Sequence, residues 1–533
     1  MTGTVLYRGG RVRSSADPFA TALLVDGGTV AWVGQEGAAR AMSADVVVDL
    51  DDAWVAPAFV DAHVHATAAG LAITGLDLTG VPSLAALLER VERAARAARG
   101  RPVLGTGWEE DLWPERRVPT PEELDRASYG GVVHLTRTDC HSGVGSSALL
   151  ALAPHVRSLP GWVGGGFATE EAHSALRAAA LTALSPAHRA DLQRATRARA
   201  AALGIGALHE CGGPGIEGED DFAALLRLAA EEPGPDVVGY WGELDGVERA
   251  RALGAVGAAG DLFADGSLGS RTACLSHAYD DADTTGYAYV TADDVARHVA
   301  ACTEAGLQGG FHAIGDAALT AVLDGMEAAA ERVGWDRLRA ARHRVEHVEL
   351  PTPRHVEQLA RLGAVASVQP VFDARWGGEG GLYDARLGRE RTRGSNPFGA
   401  LAAAGVPLAL GSDAPVTPLD PWGAVRAAVL HHEAASRLSA RAAFSAHTRG
   451  GHRAARDDVA GDLVPGAPAT FAVWEVPGEL VVQVPDERVA GWSTDPRAGV
   501  SGLPDLSGED PRCLRTVVRG TVVHDVLGGS APV

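Results

Sequence analysis

The sequence predicts an α/β protein, a (β/α)8 TIM-type barrel accompanied by a small β-sandwich that both chain termini build together. Three observations carry that prediction. The two ends share a texture of short strands and Gly- and Asp-rich turns, the centre alternates apolar strand-like runs with Ala/Leu/Arg segments of helical period, and several central runs end in histidine or aspartate.

From residue 1 to 57 the strand-like runs are Thr4 to Tyr7, Thr21 to Val25, Thr29 to Gly34 and Asp45 to Leu50, punctuated by Gly9-Gly10 and Asp26-Gly27-Gly28. The texture returns over 456–533 with the turn Gly461-Asp-Leu-Val-Pro-Gly466, then Ala469 to Glu475, Glu479 to Val484 and Thr516 to Val523. Residues 58–455 read as the barrel, with an insertion around 70–200. The strand-like runs there are Val103 to Gly107, Val132 to Thr136, Ile205 to His209, Val237 to Trp241, Leu307 to Ala313, His343 to Val348, Val365 to Val368 and Val406 to Gly411. Between them lie helical segments such as Leu84 to Ala98, Ala292 to Ala305 and Arg354 to Leu362. Such alternation argues parallel strands with crossover helices, and a span of about 400 residues suits a (β/α)8 barrel with insertions. A doubly wound sheet is disfavoured because no Gly-x-Gly-x-x-Gly follows the first central strand.

The centre opens on Val55-Ala-Pro-Ala-Phe-Val-Asp-Ala-His63-Val-His65, an apolar run ending in two histidines one residue apart. Alternate side chains of a strand share a face, so both imidazoles project together, and the carboxyl end of a buried parallel strand is where they can hold a divalent metal. Three further runs end in metal-type side chains: Leu307-Gln-Gly-Gly-Phe-His312, His343-Arg-Val-Glu-His347 and Leu408-Ala-Leu-Gly-Ser-Asp413. Catalytic groups of a barrel come from the carboxyl ends of several strands, which lends the four endings weight together that none has alone. Strict alternation would place Glu346 on the barrel-to-helix side, and would set His343 on the face of His347 but nearer the amino-terminal end.

The ordered motifs Val60-Asp-Ala-His63-Val-His65, Leu262-Phe-Ala-Asp265-Gly-Ser-Leu-Gly-Ser-Arg271, His312-Ala-Ile-Gly-Asp316, Arg342-His-Arg-Val-Glu-His347, Ser367-Val-Gln369-Pro and Gly411-Ser-Asp413-Ala-Pro resemble the amidohydrolase superfamily, in particular the branch of N-substituted formamide deformylase. The resemblance implies a metal-dependent barrel in which metal-activated water cleaves a non-peptide C–N bond, here an amide or N-acyl or N-formyl small molecule. It places His63 and His65 on the first barrel strand, His312 on the fifth, His347 on the sixth and Asp413 on the eighth, all as metal-site residues. Asp413 has the chemistry to take a proton from water and pass it to the leaving nitrogen, while His347 is open between metal ligand and partner of the attacked oxygen. The same resemblance points, more weakly, to His141, Trp108, Arg271 and Gln369 as substrate-pocket residues, with plain core the competing reading for Trp108 and a surface loop for His141. Two other functions stay in view: a deaminase of the same fold, and a barrel that binds or regulates without catalysing.

Net charge is −21 and the sequence pI about 5.3, a balance that repels phosphate backbones and excludes nucleic acid as the expected partner. No stretch approaches the roughly 20 apolar residues that span a bilayer, and Met1-Thr-Gly-Thr-Val has no basic segment leading into an apolar one, so a cytoplasmic protein with a small-molecule substrate is expected, with self-association left open. Five cysteines at irregular spacing fit neither a disulfide framework nor a Cys-x-x-Cys site. All 47 basic residues are arginine. Relatives that hold two metals share a carboxylated lysine from the fourth strand, and the matching position here is Asp261. With no lysine, the sequence is read as holding one divalent metal per chain rather than two, zinc by preference, on His63, His65, His312 and Asp413. Asp261 is judged too short to bridge, with Glu210 the other conceivable replacement.

Overall fold

The computed structural model describes residues 3–137, 142–214, 216–483, 492–493 and 502–527. The chain divides into two compact units, residues 1–65 with 197–533, and residues 66–196.

In the larger unit, eight parallel strands form one sheet in chain order: β1 (Phe59–Val64), β2 (Ile205–Gly212), β3 (Asp236–Trp241), β4 (Gly257–Ala258), β5 (Gln308–Ala313), β6 (Arg344–His347), β7 (Val365–Val368) and β8 (Leu408–Leu410). Every residue of β1, β2, β5, β6 and β7 is buried, as expected of strands covered on both sides. The sheet returns on itself beyond β8: the Asp413 N–H donates to the His63 carbonyl at 2.8 Å and the His65 N–H to the Ala414 carbonyl at 2.9 Å. A (β/α)8 barrel results.

The crossovers are helical for local reasons. Ala292–Ala305 begins with a reciprocal cap between Thr291 and Asp294 and ends at left-handed Gly306, and Pro353–Leu362 begins at capping Thr352 and ends at left-handed Gly363. β4 is only two residues long, too short to show as a periodic run.

Two further sheets of this unit come from the ends of the chain, the first from the amino-terminal segment alone and the second from both ends. One has the order Thr29–Gly34, Ala22–Asp26, Thr4–Arg8, Val46–Asp49, and the other Arg11–Val12, Trp54–Pro57, Phe471–Glu475, Arg512–Val518, Thr521–Asp525. A shared apolar cluster joins them, with Leu23, Val30, Val55, Phe471 and Val517 fully buried. The run Thr516 to Val523, read from sequence as one strand, spans the turn of a hairpin between Arg512–Val518 and Thr521–Asp525, whose two-residue loop, Arg519-Gly520, takes positive φ at both positions.

The smaller unit holds its own six-stranded sheet, in the order Trp162–Gly164, Phe167–Thr169, Ser142–Gly145, Val133–Arg137, Val103–Trp108, Leu76–Asp77. The runs Val103 to Gly107 and Val132 to Thr136, expected among the barrel strands, are parallel neighbours in this sheet instead, and helix Leu84–Ala98 packs into the same apolar cluster. Parallel pairing with a helical crossover produces the same sequence texture in a small sheet as in a barrel.

Candidate metal centre at the carboxyl end of the barrel

The ends of β1, β5, β6 and β8 and the turn that follows β4 converge on one buried cluster of imidazoles and carboxylates. His63 Nε2 lies 3.4 Å from Asp261 Oδ1 and 3.6 Å from Asp413 Oδ1, while His65 Nε2 lies 3.2 Å from Asp261 Oδ2 and 3.1 Å from Asp413 Oδ1. On the other side of Asp261, His312 Nδ1 and His347 Nε2 are each 3.5 Å from Oδ1. Among the described residues three overlapping groups of potential metal ligands result: His63 with His65, Asp261 and Asp413, His312 with His347 and Asp261, and, behind the first, His63 with Cys211 and Glu346. The structure therefore brings all five of the main predicted residues together. It also puts Asp261, which the sequence reading set aside as too short, at their centre.

Asp261 reaches the centre because its backbone does. Gly260 has φ +83° and lies against Cys211, where a Cβ would come within 3.2 Å of that residue, and a Cβ on Gly242 would meet the Asp261 backbone at 2.8 Å. Two missing side chains let the chain after β4 pass close to the barrel axis, so a short carboxylate suffices.

A second layer of contacts orients the first. His63 Nδ1 donates to Glu346 Oε2 at 3.0 Å, and Glu346 in turn is gripped by Arg344, whose guanidinium also donates to the Ala62 carbonyl and Ser367 Oγ and lies over the Tyr240 ring. Burial opposes the Glu346 charge, but Arg344 and His63 outweigh it and hold the carboxyl well below the usual range. His312 Nε2 donates to the Gly266 carbonyl at 3.1 Å and His347 Nδ1 to Gln369 Oε1 at 2.8 Å. Asp61 accepts from the Ser412 N–H at 2.8 Å and the His63 N–H at 3.3 Å, clamping the segments that carry His63 and Asp413, and burial pushes its own carboxyl up to about 6.

The placement of Glu346 corrects the expectation from strict alternation. Arg344 and Glu346 face the barrel interior, and His343 faces the helix layer, where its Nδ1 accepts from the Gly309 N–H at 2.8 Å and its Nε2 pairs with Thr303 Oγ1 at 2.8 Å. His347 joins Glu346 inside because φ turns positive at His347 (+71°) and Val348 (+53°), which breaks the two-residue period at the strand end. Asp413 is likewise left-handed, with φ +55°. Two site residues thus sit on backbone that costs energy to maintain, a frequent feature of functional positions.

The residues present fit a divalent cation. His63 Nε2, His312 Nδ1, His347 Nε2 and Asp261 Oδ1 are buried without a hydrogen-bond partner, an expensive condition unless something of opposite charge meets them. Burial disfavours imidazolium at His63 and His65, yet nearby Cys211, Asp261 and Asp413 for the first and Asp261 and Asp413 for the second raise both pKa values well above the ordinary one. The carboxylates demand positive charge at this spot. Imidazole nitrogen and carboxylate oxygen are the donor set of zinc and similar first-row cations.

The amidohydrolase family profile matches residues 46–524. The chain belongs to the amidohydrolase family. It is 29% identical to Protein LONG AFTER FAR-RED 3 of Arabidopsis thaliana over 86% of this chain and 84% of that one. It is 26% identical to N-substituted formamide deformylase of Arthrobacter pascens, over 76% of this chain and 80% of that one. Among solved structures it resembles an uncharacterized metal-dependent hydrolase from Pyrococcus furiosus, with TM-score 0.75 and 26% identity over 88% of this chain and 98% of that one. The family match spans the barrel and reaches into the terminal strands on either side of it.

The weaker pocket expectations divide. Gln369 is at the site, holding His347. Arg271 is engaged elsewhere, in a two-point pair with Asp281 at 2.9 and 2.7 Å. Trp108 is fully buried in the apolar cluster of the smaller unit, its indole N–H donating to the Leu135 carbonyl at 3.1 Å, so the plain-core reading is the one observed. His141 lies outside the described residues. Residues of the site that sequence reasoning missed or misplaced are Asp261, Glu346, Arg344 and Asp61, together with Glu349, two residues beyond His347, whose carboxyl burial pushes up to about 7. The signal for Asp61 was available: it is two residues before His63 and shares its face.

Proposed function

We propose that this protein is a metal-dependent hydrolase that cleaves a C–N bond other than a peptide bond, in an amide or N-acyl or N-formyl compound of small size. The observation that carries the reading is the convergence of four buried imidazoles and two buried carboxylates from five strand ends, with the carboxylate-facing nitrogens of His63, His312 and His347 left without hydrogen bonds. The likeness to N-substituted formamide deformylase supports this reaction class, and the likeness to the metal-dependent hydrolase supports the coarser one of metal-dependent hydrolysis.

His63, His65, His312, His347, Asp261 and Asp413 are the residues that would hold metal, with zinc the cation that best suits their donors. A divalent cation held there supplies Lewis acidity, polarising an acyl oxygen and lowering the pKa of water toward neutrality. The chain supplies the rest. Asp413, on a backbone fixed by its own N–H to the His63 carbonyl and by Asp61 through Ser412, takes the proton of the attacking water and returns it to the leaving nitrogen. An amine leaves readily only with that proton. Glu346 and Arg344 keep the His63 ring in one tautomer and orientation, and Gln369 does so for His347.

The experiment is a panel of N-formyl and N-acyl amines given to the metal-loaded protein, with amine and carboxylate measured as products, beside amidine-type substrates with ammonia measured. Amine release that disappears on chelation and returns with added zinc is expected. Ammonia release alone would replace the reading by a deaminase, and no turnover of any C–N substrate by metal-replete protein would overturn it.

A further inference from the structure

We infer that Asp261 is a shared ligand for two divalent cations, one held with His63, His65 and Asp413 and the other with His312 and His347. The inference rests on the metal-holding reading above but not on which bond is cleaved, and it departs from the single-cation expectation drawn from the sequence.

The outer partners of the rings fix their tautomers. The outward nitrogens of three rings each meet a group that only accepts: His63 Nδ1 a carboxylate, His312 Nε2 a backbone carbonyl, His347 Nδ1 an amide oxygen. In the neutral ring that a metal requires, the single proton sits there, which leaves the other nitrogen with a lone pair. Those three lone pairs point at one atom, Asp261 Oδ1, from 3.4, 3.5 and 3.5 Å. Three lone pairs around an anionic oxygen repel one another and it. Cations between them remove the repulsion, and the spacing is right for this: two atoms each about 2.1 Å from a tetrahedral ion lie about 3.4 Å apart.

One cation cannot serve the whole cluster. Six side chains face inward, whereas zinc takes four donors, or five when it expands, and a catalytic site keeps a position open. The groups divide on their own: His63, His65 and Asp413 fall on one side, His312 and His347 on the other, and Asp261 belongs to both. Of its two oxygens, Oδ2 faces His65 in the first group, while Oδ1 faces both rings of the second group and also His63, so the one carboxylate touches both groups. No side-chain amine exists in this chain to be carboxylated, so a bridge between two cations has to be a native carboxylate. The close approach of Gly242 and Gly260 supplies one at the right depth.

The test uses the full chain stripped of metal and reloaded with Mn(II) in buffer depleted of carbon dioxide and bicarbonate. Elemental analysis should find two manganese per chain, and electron paramagnetic resonance should show the exchange-coupled spectrum of a bridged pair, unchanged by added bicarbonate. Asp261→Asn and Asp261→Ala, with folding checked by circular dichroism and thermal melting, should lose the coupled spectrum and retain one manganese or fewer. A wild-type protein that saturates at one manganese with an isolated-ion spectrum would overturn the inference even if neither variant folds. A coupled pair that survives in a folded Asp261 variant would overturn it as well. Amide hydrolysis by a one-manganese protein would leave the proposed reaction standing and remove only the bridge.

Discussion

Two sets of buried histidines in the same barrel answer to different rules. Behind the strands, in the helix layer, His298 accepts from the Asp245 N–H and meets the Ala258 carbonyl, His343 accepts from Gly309 N–H and pairs with Thr303, and His355 accepts from Thr352 N–H and pairs with Thr320. Each ring has both nitrogens satisfied. On the axis, His63, His312 and His347 each have one nitrogen matched and one left over, and the leftover nitrogens face a common carboxylate. Burial and residue type are the same in the two sets. What separates structure from function is the unfinished hydrogen bonding, because leaving a buried polar atom unpaired costs about 1–3 kcal/mol and a fold tolerates several together only where a ligand recovers the loss.

The comparison is broken most severely at the axis. His63→Ala should lose activity together with the metal that His63 helps to hold, as followed by elemental analysis. Full metal retention in that variant would put His63 among the merely structural rings. Asp413→Asn should cut turnover by 10²-fold or more, about 2.7 kcal/mol of transition-state stabilisation, with much smaller loss of metal, since the imidazoles and Asp261 remain. Wild-type-like turnover there would remove Asp413 from the proton transfer.

The layer behind the ligands should affect both stability and metal affinity. Glu346→Gln leaves Arg344 fully buried without its counter-charge, which should cost about 3–5 kcal/mol of stability, and frees the His63 ring, which should weaken metal binding by about 10- to 100-fold. Denaturant titration and a competitive metal assay read the two effects separately. If affinity were unchanged while stability fell, the Arg344–Glu346 pair would belong to the structural set.

The satisfied rings should affect stability alone, and only at acidic pH. Burial is the main cause pushing the His343 imidazole down to about 4. Between that value and the ordinary 6.5 the unfolded chain binds a proton that the folded chain refuses, so stability falls as pH drops through this window, by about 3 kcal/mol once pH reaches 4. His343→Gln should flatten that part of the stability profile and leave metal content untouched. An unaltered profile would show that His343 has room to become charged.

Much of the site was legible because its chemistry sits at the ends of apolar runs. His63, His65, His312, His347 and Asp413 each close such a run, and the structure gathers them. The rest depended on backbone detail that composition does not encode. β4 spans Gly257–Ala258 alone, too short for a period to register, and so Asp261 had no strand to be read from. Glu346 was placed on the wrong side because alternation was carried one residue too far, into a position where φ is positive. The hairpin loop at Arg519-Gly520 was hidden inside a run of β-branched residues for a similar reason. The texture of Val103 to Gly107 and Val132 to Thr136 is that of any buried parallel pair, so periodicity could not say which sheet they join.

The join between β1 and β8 also sets a timetable. His65 and Asp413 meet across 348 residues of chain, and a ribosome adding 5–20 residues each second needs on the order of 20–70 s to make that stretch. For all of that interval the His63 and His65 rings exist without the strand that completes their surroundings. A nascent chain therefore has an apolar strand waiting for its neighbour, and any premature stop before Asp413 yields a product without the full ligand set. A full ligand set becomes a mark of completed synthesis.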